Sequence, residues 1–175
     1  SRIRRAEAAE SARLLGATYS CLECDDIFIS YDRPTLLKVI SLIRRLKPEL
    51  VFTMSPQDYM IDHEVTSALV RTACFAAGMR NIAVDGTEPL MDIPYLYYCD
   101  PIGGKDALGV DIKSSTLVNI SETMPMKEKM FRSHKSQQSW LKSHHGIDDY
   151  VNSSLKRLSG KRGREIGVTF AEGFR

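Results

Sequence analysis

One histidine stands where a loop passes into a predicted helix, in the segment 55–66 with the sequence SPQDYMIDHEVT. Neutral imidazole is a common zinc ligand, and a histidine at a helix start presents its nitrogen with little conformational freedom. Asp62 beside it is placed to orient a neighbouring donor or the metal site, or to cap the helix. A catalytic zinc needs three protein ligands, so His63 is either a metal ligand or a structural histidine on this evidence.

Three further side chains have the chemistry of a binding or catalytic site. Asp58 is placed either to bind substrate hydroxyl groups or to cap the turn, and Tyr59 beside it offers a phenol. His134 lies in a helical segment and is either a catalytic donor or a hydrogen-bonded structural residue. His144 and His145 are adjacent, do not face the same way on a helix, and favour a polar helix end.

The elements that carry these residues are predicted from apolar periodicity and from helix-start and helix-stop residues. Helices are predicted at about residues 3–15, 34–47, 62–78, 122–145 and 148–158. Strands are predicted at about residues 19–23, 49–54, 95–99 and 116–121, with a last short strand near the C-terminus. The strand 49–54 is an apolar run and is predicted to be buried, whereas the basic stretch 156–165 is predicted to be a solvated loop.

Alternating strands and helices predict an open α/β sheet that is covered on both faces. In such sheets, ligand sites gather at the C-terminal ends of the strands. The His63 loop directly follows the predicted strand 49–54, so the sequence places it where a site is expected.

Composition sets the limits on the class of protein. The 175 residues suit one domain, and the formal net charge of +2 does not favour nucleic acid or an anionic membrane as partner. No apolar run approaches the ~20 residues that span a bilayer, and no secretory signal opens the chain. Four scattered cysteines do not form a disulfide framework, so a cytoplasmic location is expected.

Five ordered blocks of sequence resemble one family. The string P-x-D-Y-x-x-D-H-x-x-T around His63 resembles the second metal motif of the PIG-L/LmbE-like zinc-dependent N-deacetylases. The segment RRAEAAESARLLG resembles the R-x-x-E helix of that family and places Arg4 and Glu7 at its motif positions. The segments LIRRLKPELVFT, VNISETMPMKEKMFRSHKSQ and FAEGFR resemble three further blocks in the same order. The resemblance therefore runs along nearly the whole chain.

The resemblance implies a Rossmann-like three-layer αβα sandwich with a mostly parallel sheet, formed by residues 1–175 as a single domain. It implies an enzyme that removes an acetyl group from an N-acetylated amino sugar or a related small N-acyl substrate. One Zn²⁺ per chain is held in this family by a His and an Asp of an H-P-D-D motif and by the histidine that His63 matches. Arg4, Asp58 and Tyr59 are the expected substrate-binding residues, and homo-oligomerisation is left open.

Two departures from the family pattern bear on activity. No H-P-D-D motif, which supplies the general base in this family, occurs in these residues. We expect that motif and a first strand upstream, and we expect these residues alone to be inactive. Met60 stands where the family commonly has a hydrogen-bond donor, and the loss of one oxyanion donor typically costs ~10²–10³ in rate. With Asp62, His134 is the expected catalytic residue, on a helical face shared with Met130, Gln137 and Leu141. The alternative is a non-catalytic sugar-binding or regulatory relative.

Overall fold

The computed structural model describes residues 2–84 and 86–175. Six α-helices are found in this part of the chain: α1 (Arg2–Leu14), α2 (Arg33–Leu46), α3 (Ile61–Ala76), α4 (Met124–Arg132), α5 (Lys135–His145) and α6 (Arg157–Glu165). The strands are β1 (Leu50–Thr53), β2 (Tyr95–Tyr98), β3 (Thr116–Asn119) and β4 (Ala171–Phe174). A short 3₁₀ turn covers Ile102–Gly104, and one π-helical stretch, Val151–Lys156, leads into α6. None of the helices in the described ranges is long and apolar enough to cross a membrane.

The chain divides into two compact units. The first unit comprises residues 1–21 and 117–173, and therefore contains α1, α4, α5, α6 and most of β3 and β4. The second unit comprises residues 22–116 and 174–175, and contains α2, α3, β1 and β2.

The core of the second unit lies between α2 and α3. Helix α2 begins at Arg33, one residue before the predicted start at Pro34, and Asp32 caps it by accepting the Thr35 N–H at 2.8 Å. Its apolar side chains at helical spacing pack against one face of α3. The fully buried members of this cluster are Val39, Ile40, Ile43, Leu69, Ala73, Cys74, Ala76 and Ala77. The predicted apolar faces of both helices are confirmed by this packing.

Strands β1 and β2 pair in parallel, with Leu50 opposite Tyr95 and Thr53 opposite Tyr98. The existence of both strands agrees with the sequence prediction, but the prediction that 49–54 is wholly buried is wrong. Thr53 is buried, whereas Leu50 and Phe52 are 44% and 54% exposed. The second sheet contains β3 and β4 only. The fold of the described residues is therefore mixed α/β with two small sheets, and the mostly parallel three-layer sandwich stays a prediction.

The predicted continuous helix over 122–145 is wrong, because the chain breaks between α4 and α5. His134 has φ −85° and ψ 62°, outside the helical region, and stands as the cap residue of α5. The expected helical face through His134 and Leu141 is therefore interrupted. The break has a tertiary cause: Glu7 of α1 accepts the Ser136 N–H, which would bond a main-chain carbonyl in an uninterrupted helix.

The basic stretch 156–165 is helical, so its prediction as a solvated loop is wrong. It forms the end of the π-helical stretch and all of α6, and one face of α6 is buried. Arg162 is 4% exposed and donates to the Glu165 carboxylate at 2.8 Å. Gly163 lets the helix approach the following chain, because a Cβ there would lie 2.5 Å from the Val168 carbonyl oxygen.

The predicted strand at 19–23 is also wrong. These residues have no regular secondary structure, and Glu23 has a φ of 56°, in the left-handed region that a strand does not use. Cys21 and Cys24 of the C-x-x-C sequence are free and exposed rather than packed in a core strand. A strand needs a hydrogen-bonded neighbouring strand, and neither sheet of the described residues includes this segment.

Candidate active site around His63

His63 lies in the first turn of α3, directly after the loop that follows β1. The helix begins after Met60, whose extended backbone ends the loop and whose side chain caps nothing. Helix α3 is held from the core side by Leu69 and Ala73, so the position of its first turn is set by the packing against α2. The local fold therefore fixes the backbone from which the imidazole projects.

The His63 imidazole is oriented by Asp58. The His63 Nδ1 lies 3.0 Å from the Asp58 Oδ1, and the Asp58 side chain is only 2% exposed whereas that of His63 is 22% exposed. A carboxylate accepts hydrogen bonds, so a neutral His63 carries its proton on Nδ1 and keeps the lone pair on Nε2. This arrangement is the one in which an outer carboxylate fixes a metal-binding histidine.

Asp58 is itself held by the start of the helix. Its Oδ1 accepts the Met60 N–H at 3.2 Å, and its own N–H donates to the Glu64 carboxylate at 2.9 Å. Both contacts are local and both involve buried or partly buried atoms. Asp58 thus has two roles: it caps the turn and it orients His63. The sequence patterns did not predict that it orients His63. A role in substrate binding stays a prediction.

Tyr59 borders His63 on its open side. The two rings meet edge to face, with centroids 5.7 Å apart, and Tyr59 is about half exposed. Its partial burial, and then the nearby Asp58 and Asp62 carboxylates, raise the pKa of the Tyr59 phenol. The phenol therefore stays protonated at neutral pH and can donate a hydrogen bond to a bound molecule.

Asp62 does not supply the carboxylate that orients His63, since Asp58 does so. Asp62 is 9% exposed, and its Oδ1 is buried with no hydrogen-bond partner among the described residues. A buried acceptor without a donor is costly and is typical of a site that a ligand completes. The assignment of Asp62 as a catalytic residue stays a prediction.

The remaining predicted residues, Arg4 and His134, belong to the first unit. The Glu7 carboxylate of α1 accepts the Ser136 N–H at 2.8 Å and its hydroxyl at 2.6 Å, and Arg4 donates to the Gln137 side chain. The hydrogen bonds from Ser136 lower the pKa of Glu7, with smaller contributions from the His134 and Arg4 charges. The blocks R-x-x-E and H-x-S-Q, far apart in sequence, thus contact each other.

A complete metal site needs several ligands close together, and His63 is the candidate ligand of the described residues. His63 fits a metal because Asp58 fixes its Nδ1–H and leaves Nε2 as a donor. Within residues 2–84 and 86–175, however, no three His, Cys, Asp or Glu side chains lie together as a metal-binding group. His63 therefore fits as one ligand of a metal, and the other ligands are not supplied by the described part of the chain.

The fold and the site define the protein as a mixed α/β chain with a carboxylate-oriented histidine at the start of a helix. Comparison with known families adds a sequence similarity. Residues 1–74 match the family model described as PIG-L, GlcNAc-PI de-N-acetylase. The resemblance to the PIG-L/LmbE-like family, predicted from the sequence blocks, is confirmed.

Relatives with known structures or activities extend this match along the chain. A 4-oxalmesaconate hydratase from Pseudomonas putida is 29% identical over 96% of this chain. A conserved protein from Thermus thermophilus superposes with a TM-score of 0.79 at 26% identity, over 99% of this chain and 72% of its own. The N,N'-diacetylchitobiose deacetylase from Pyrococcus horikoshii superposes with a TM-score of 0.78 at 25% identity, over 99% of this chain. The chain spans 61% of the hydratase's length and 62% of the deacetylase's length.

Proposed function

We propose that this protein is a metal-dependent enzyme that removes an acetyl group from the nitrogen of a small N-acetylated amino sugar. The Asp58–His63 pair is the observation that carries the proposal, because it prepares one imidazole nitrogen as a metal ligand. The family match over residues 1–74 and the similarity to a chitobiose deacetylase support the choice of an N-acetyl substrate.

The proposed metal is one Zn²⁺, whose chemistry is to polarise a carbonyl group and to make water acidic near neutral pH. His63 is the proposed ligand through Nε2, and Asp58 holds its tautomer. The protonated Tyr59 phenol is the proposed donor to the substrate. The further ligands and the general base are expected from an H-P-D-D segment upstream of these residues. Asp62 is the proposed catalytic carboxyl group of the described loop.

In the first unit, Arg4 is the proposed substrate-binding residue and His134 the proposed catalytic residue. The Glu7–Ser136 contact supports this assignment of His134, because it fixes the helix start at which His134 stands. The cytoplasm is the proposed compartment, since all four cysteines are free. The proposed binding partner is the small-molecule substrate, as the family resemblance implies.

A second candidate is a hydratase, and one observation favours it. The curated hydratase is 29% identical to this chain over 96% of its residues, at least as similar as the deacetylase at 25%. Met60 is consistent with this alternative, since a thioether gives no hydrogen bond to the oxyanion of amide hydrolysis. Both candidates use water as a reactant: one directs it to an amide carbonyl and the other to a carbon–carbon double bond.

The first test measures zinc binding in the purified complete protein and in three variants. His63→Ala is expected to lose stoichiometric zinc, and Asp58→Asn to bind zinc roughly 10–100-fold more weakly, because the amide no longer fixes the imidazole. His145→Ala, a change at an exposed histidine, is the matched control and is expected to bind like the wild type. Stoichiometric zinc in His63→Ala would remove His63 from the ligand set.

The second test compares two substrate classes with the zinc-loaded protein. Release of acetate from N-acetylglucosamine derivatives supports the deacetylase, and loss of absorbance from an unsaturated oxo acid such as 4-oxalmesaconate supports the hydratase. Both activities are expected to disappear in His63→Ala and to persist in the His145→Ala control. Tight zinc binding without turnover of either class would favour the non-catalytic, sugar-binding alternative.

A further inference from the structure

Arg175 contacts the loop that leads to His63, and we propose that it is a positioning residue of this histidine centre. The inference rests on the proposed function, in which His63 binds the metal. Its role is indirect: Arg175 holds residues 55–57, these residues place Asp58, and Asp58 orients the imidazole.

The contact between Arg175 and the loop is made by two nitrogens of one guanidinium group. Its Nη2 donates to the Ser55 Oγ at 2.7 Å, and its Nη1 donates to the Gln57 Oε1 at 3.0 Å. Ser55 is 1% exposed, and its hydroxyl also accepts the Gln57 N–H at 3.1 Å and donates to the Gln57 carbonyl at 2.5 Å. The planar guanidinium group of Arg175 therefore bonds both ends of the turn 55–57, whose ends are also hydrogen-bonded to each other.

The backbone of Arg175 is fixed independently of its side chain. The Arg175 N–H donates to the Tyr98 carbonyl at 3.0 Å, and the Tyr98 N–H donates to the Arg175 carbonyl at 2.8 Å. Tyr98 is the last residue of β2 and pairs with Thr53, the last residue of β1. The guanidinium thus reaches the loop from a main chain that is hydrogen-bonded at the end of the sheet from which the loop emerges.

The other end of the loop is fixed by α3. Asp58 follows Gln57 directly, so their Cα atoms are about 3.8 Å apart and a displacement of Gln57 is passed to Asp58. From Asp58 the chain of contacts continues to the Glu64 carboxylate and to the His63 Nδ1. If the guanidinium is removed, the loop loses its side-chain contacts with Arg175 and keeps its own turn and its contacts with α3. We therefore expect the Asp58 carboxylate to lose its single position and the imidazole its single tautomer.

The test replaces Arg175 with methionine, which keeps the apolar stem and removes all donors. At pH 7 the ¹⁵N signals of the His63 ring are expected to show one Nδ1–H tautomer in the wild type and a mixture in Arg175→Met. Zinc affinity is expected to fall by roughly 10-fold, as for the loss of an outer partner of a ligand. Arg175→Lys, which supplies a point charge instead of a fork, is expected to restore part of both properties.

Two further variants keep the outcome decisive. Arg71→Gln, a change at an exposed arginine of α3, is the matched control and is expected to leave the tautomer and zinc affinity unchanged. Gln57→Leu removes one acceptor of the guanidinium at an exposed position and is expected to shift the tautomer ratio in the same direction as Arg175→Met. If Arg175→Met does not fold, the tautomer ratio in Gln57→Leu tests the proposal instead.

A folded Arg175→Met protein with the wild-type His63 tautomer would overturn the proposal, as would an unshifted Gln57→Leu if Arg175→Met is unfolded. The tautomer is measured without metal, so this result is separate from a failure of the proposed function. If the wild type binds no zinc but its His63 tautomer depends on Arg175, the metal assignment fails and the positioning role stands.

Discussion

Arg44 of α2 is the side chain whose removal is expected to cost the second unit most. It is 2% exposed, and each of its three guanidinium nitrogens donates to a backbone carbonyl. The acceptors are Ala77 at 2.9 Å, Ile82 at 2.9 Å and Met79 at 2.8 Å. These carbonyls follow the end of α3, where the helix dipole is negative, so the positive charge lies in a favourable field.

The expected loss for Arg44→Met follows from these three contacts. A hydrogen bond that involves a charged group contributes about 1.5–3 kcal/mol, and the contributions of bonds made by one group are not additive. Methionine fills part of the space of the stem but removes the guanidinium donors from all three carbonyl oxygens. Those of Ala77 and Met79 still accept the Leu90 and Ile82 N–H groups. We therefore expect the free energy of unfolding to fall by roughly 3–5 kcal/mol. At about 2–4 °C per kcal/mol, this is a decrease in Tm of roughly 6–20 °C.

Urea and thermal unfolding followed by far-ultraviolet circular dichroism measure this change. Arg45→Met is the matched control, since Arg45 is the neighbouring, exposed arginine and its guanidinium donates to the Ser41 hydroxyl one turn earlier in α2. Its expected change is within about 0.5 kcal/mol. Equal stability of the two variants would refute the argument that the buried carbonyl contacts of Arg44 hold the end of α3.

Two further predictions concern the first unit. Gly163→Ala is expected to reduce the free energy of unfolding by roughly 1–3 kcal/mol in urea titrations, because the new Cβ would lie 2.5 Å from the Val168 carbonyl oxygen. The Ser136 amide proton is expected to titrate in NMR spectra with a midpoint below the usual glutamate range, since Ser136 lowers the pKa of Glu7. With a lowered pKa, the contribution of Glu7 to stability is complete above the unfolded-state value and is lost as the pH falls through the folded-state value.

Each of these predictions has a matched control. Gly160→Ala in the same helix places its Cβ 3.8 Å from the nearest side-chain atom and is expected to stabilise the protein by up to about 1 kcal/mol. Similar effects of the two alanines would contradict the close-approach argument. The Ser136 titration is expected to vanish in Glu7→Gln and to remain in Glu10→Gln, whose carboxylate pairs with Arg13 instead. Its persistence in Glu7→Gln would assign it to another group.

Much of the second unit could be predicted because its signals are local. The start of α2 is set by Asp32 and Pro34, within one turn of the helix that they begin. The apolar spacing along α2 and α3 identified the faces that form the core. The same kind of local pattern placed His63 in the first turn of α3, immediately after a strand.

The sequence predictions that were wrong depended on contacts between residues far apart in sequence. The helix predicted over 122–145 breaks where a carboxylate 129 positions away accepts the Ser136 N–H, and helical periodicity does not reveal that partner. The stretch 156–165 is polar by composition, yet it folds as a helix in which Arg162 is buried. Periodicity and charge describe only near neighbours in sequence, so they do not reveal such partners.

The sequence alone therefore determined which elements form around the core of the second unit, where the candidate histidine stands, and which family the motifs resemble. These properties depend on backbone propensity, capping and apolar spacing, which act over a few residues. Only the tertiary structure decided that Asp58 rather than Asp62 orients His63, and that Arg175 holds the loop from 120 positions away at Ser55. A hydrogen bond depends on the distance and direction between two groups, and those are defined only when the chain has folded.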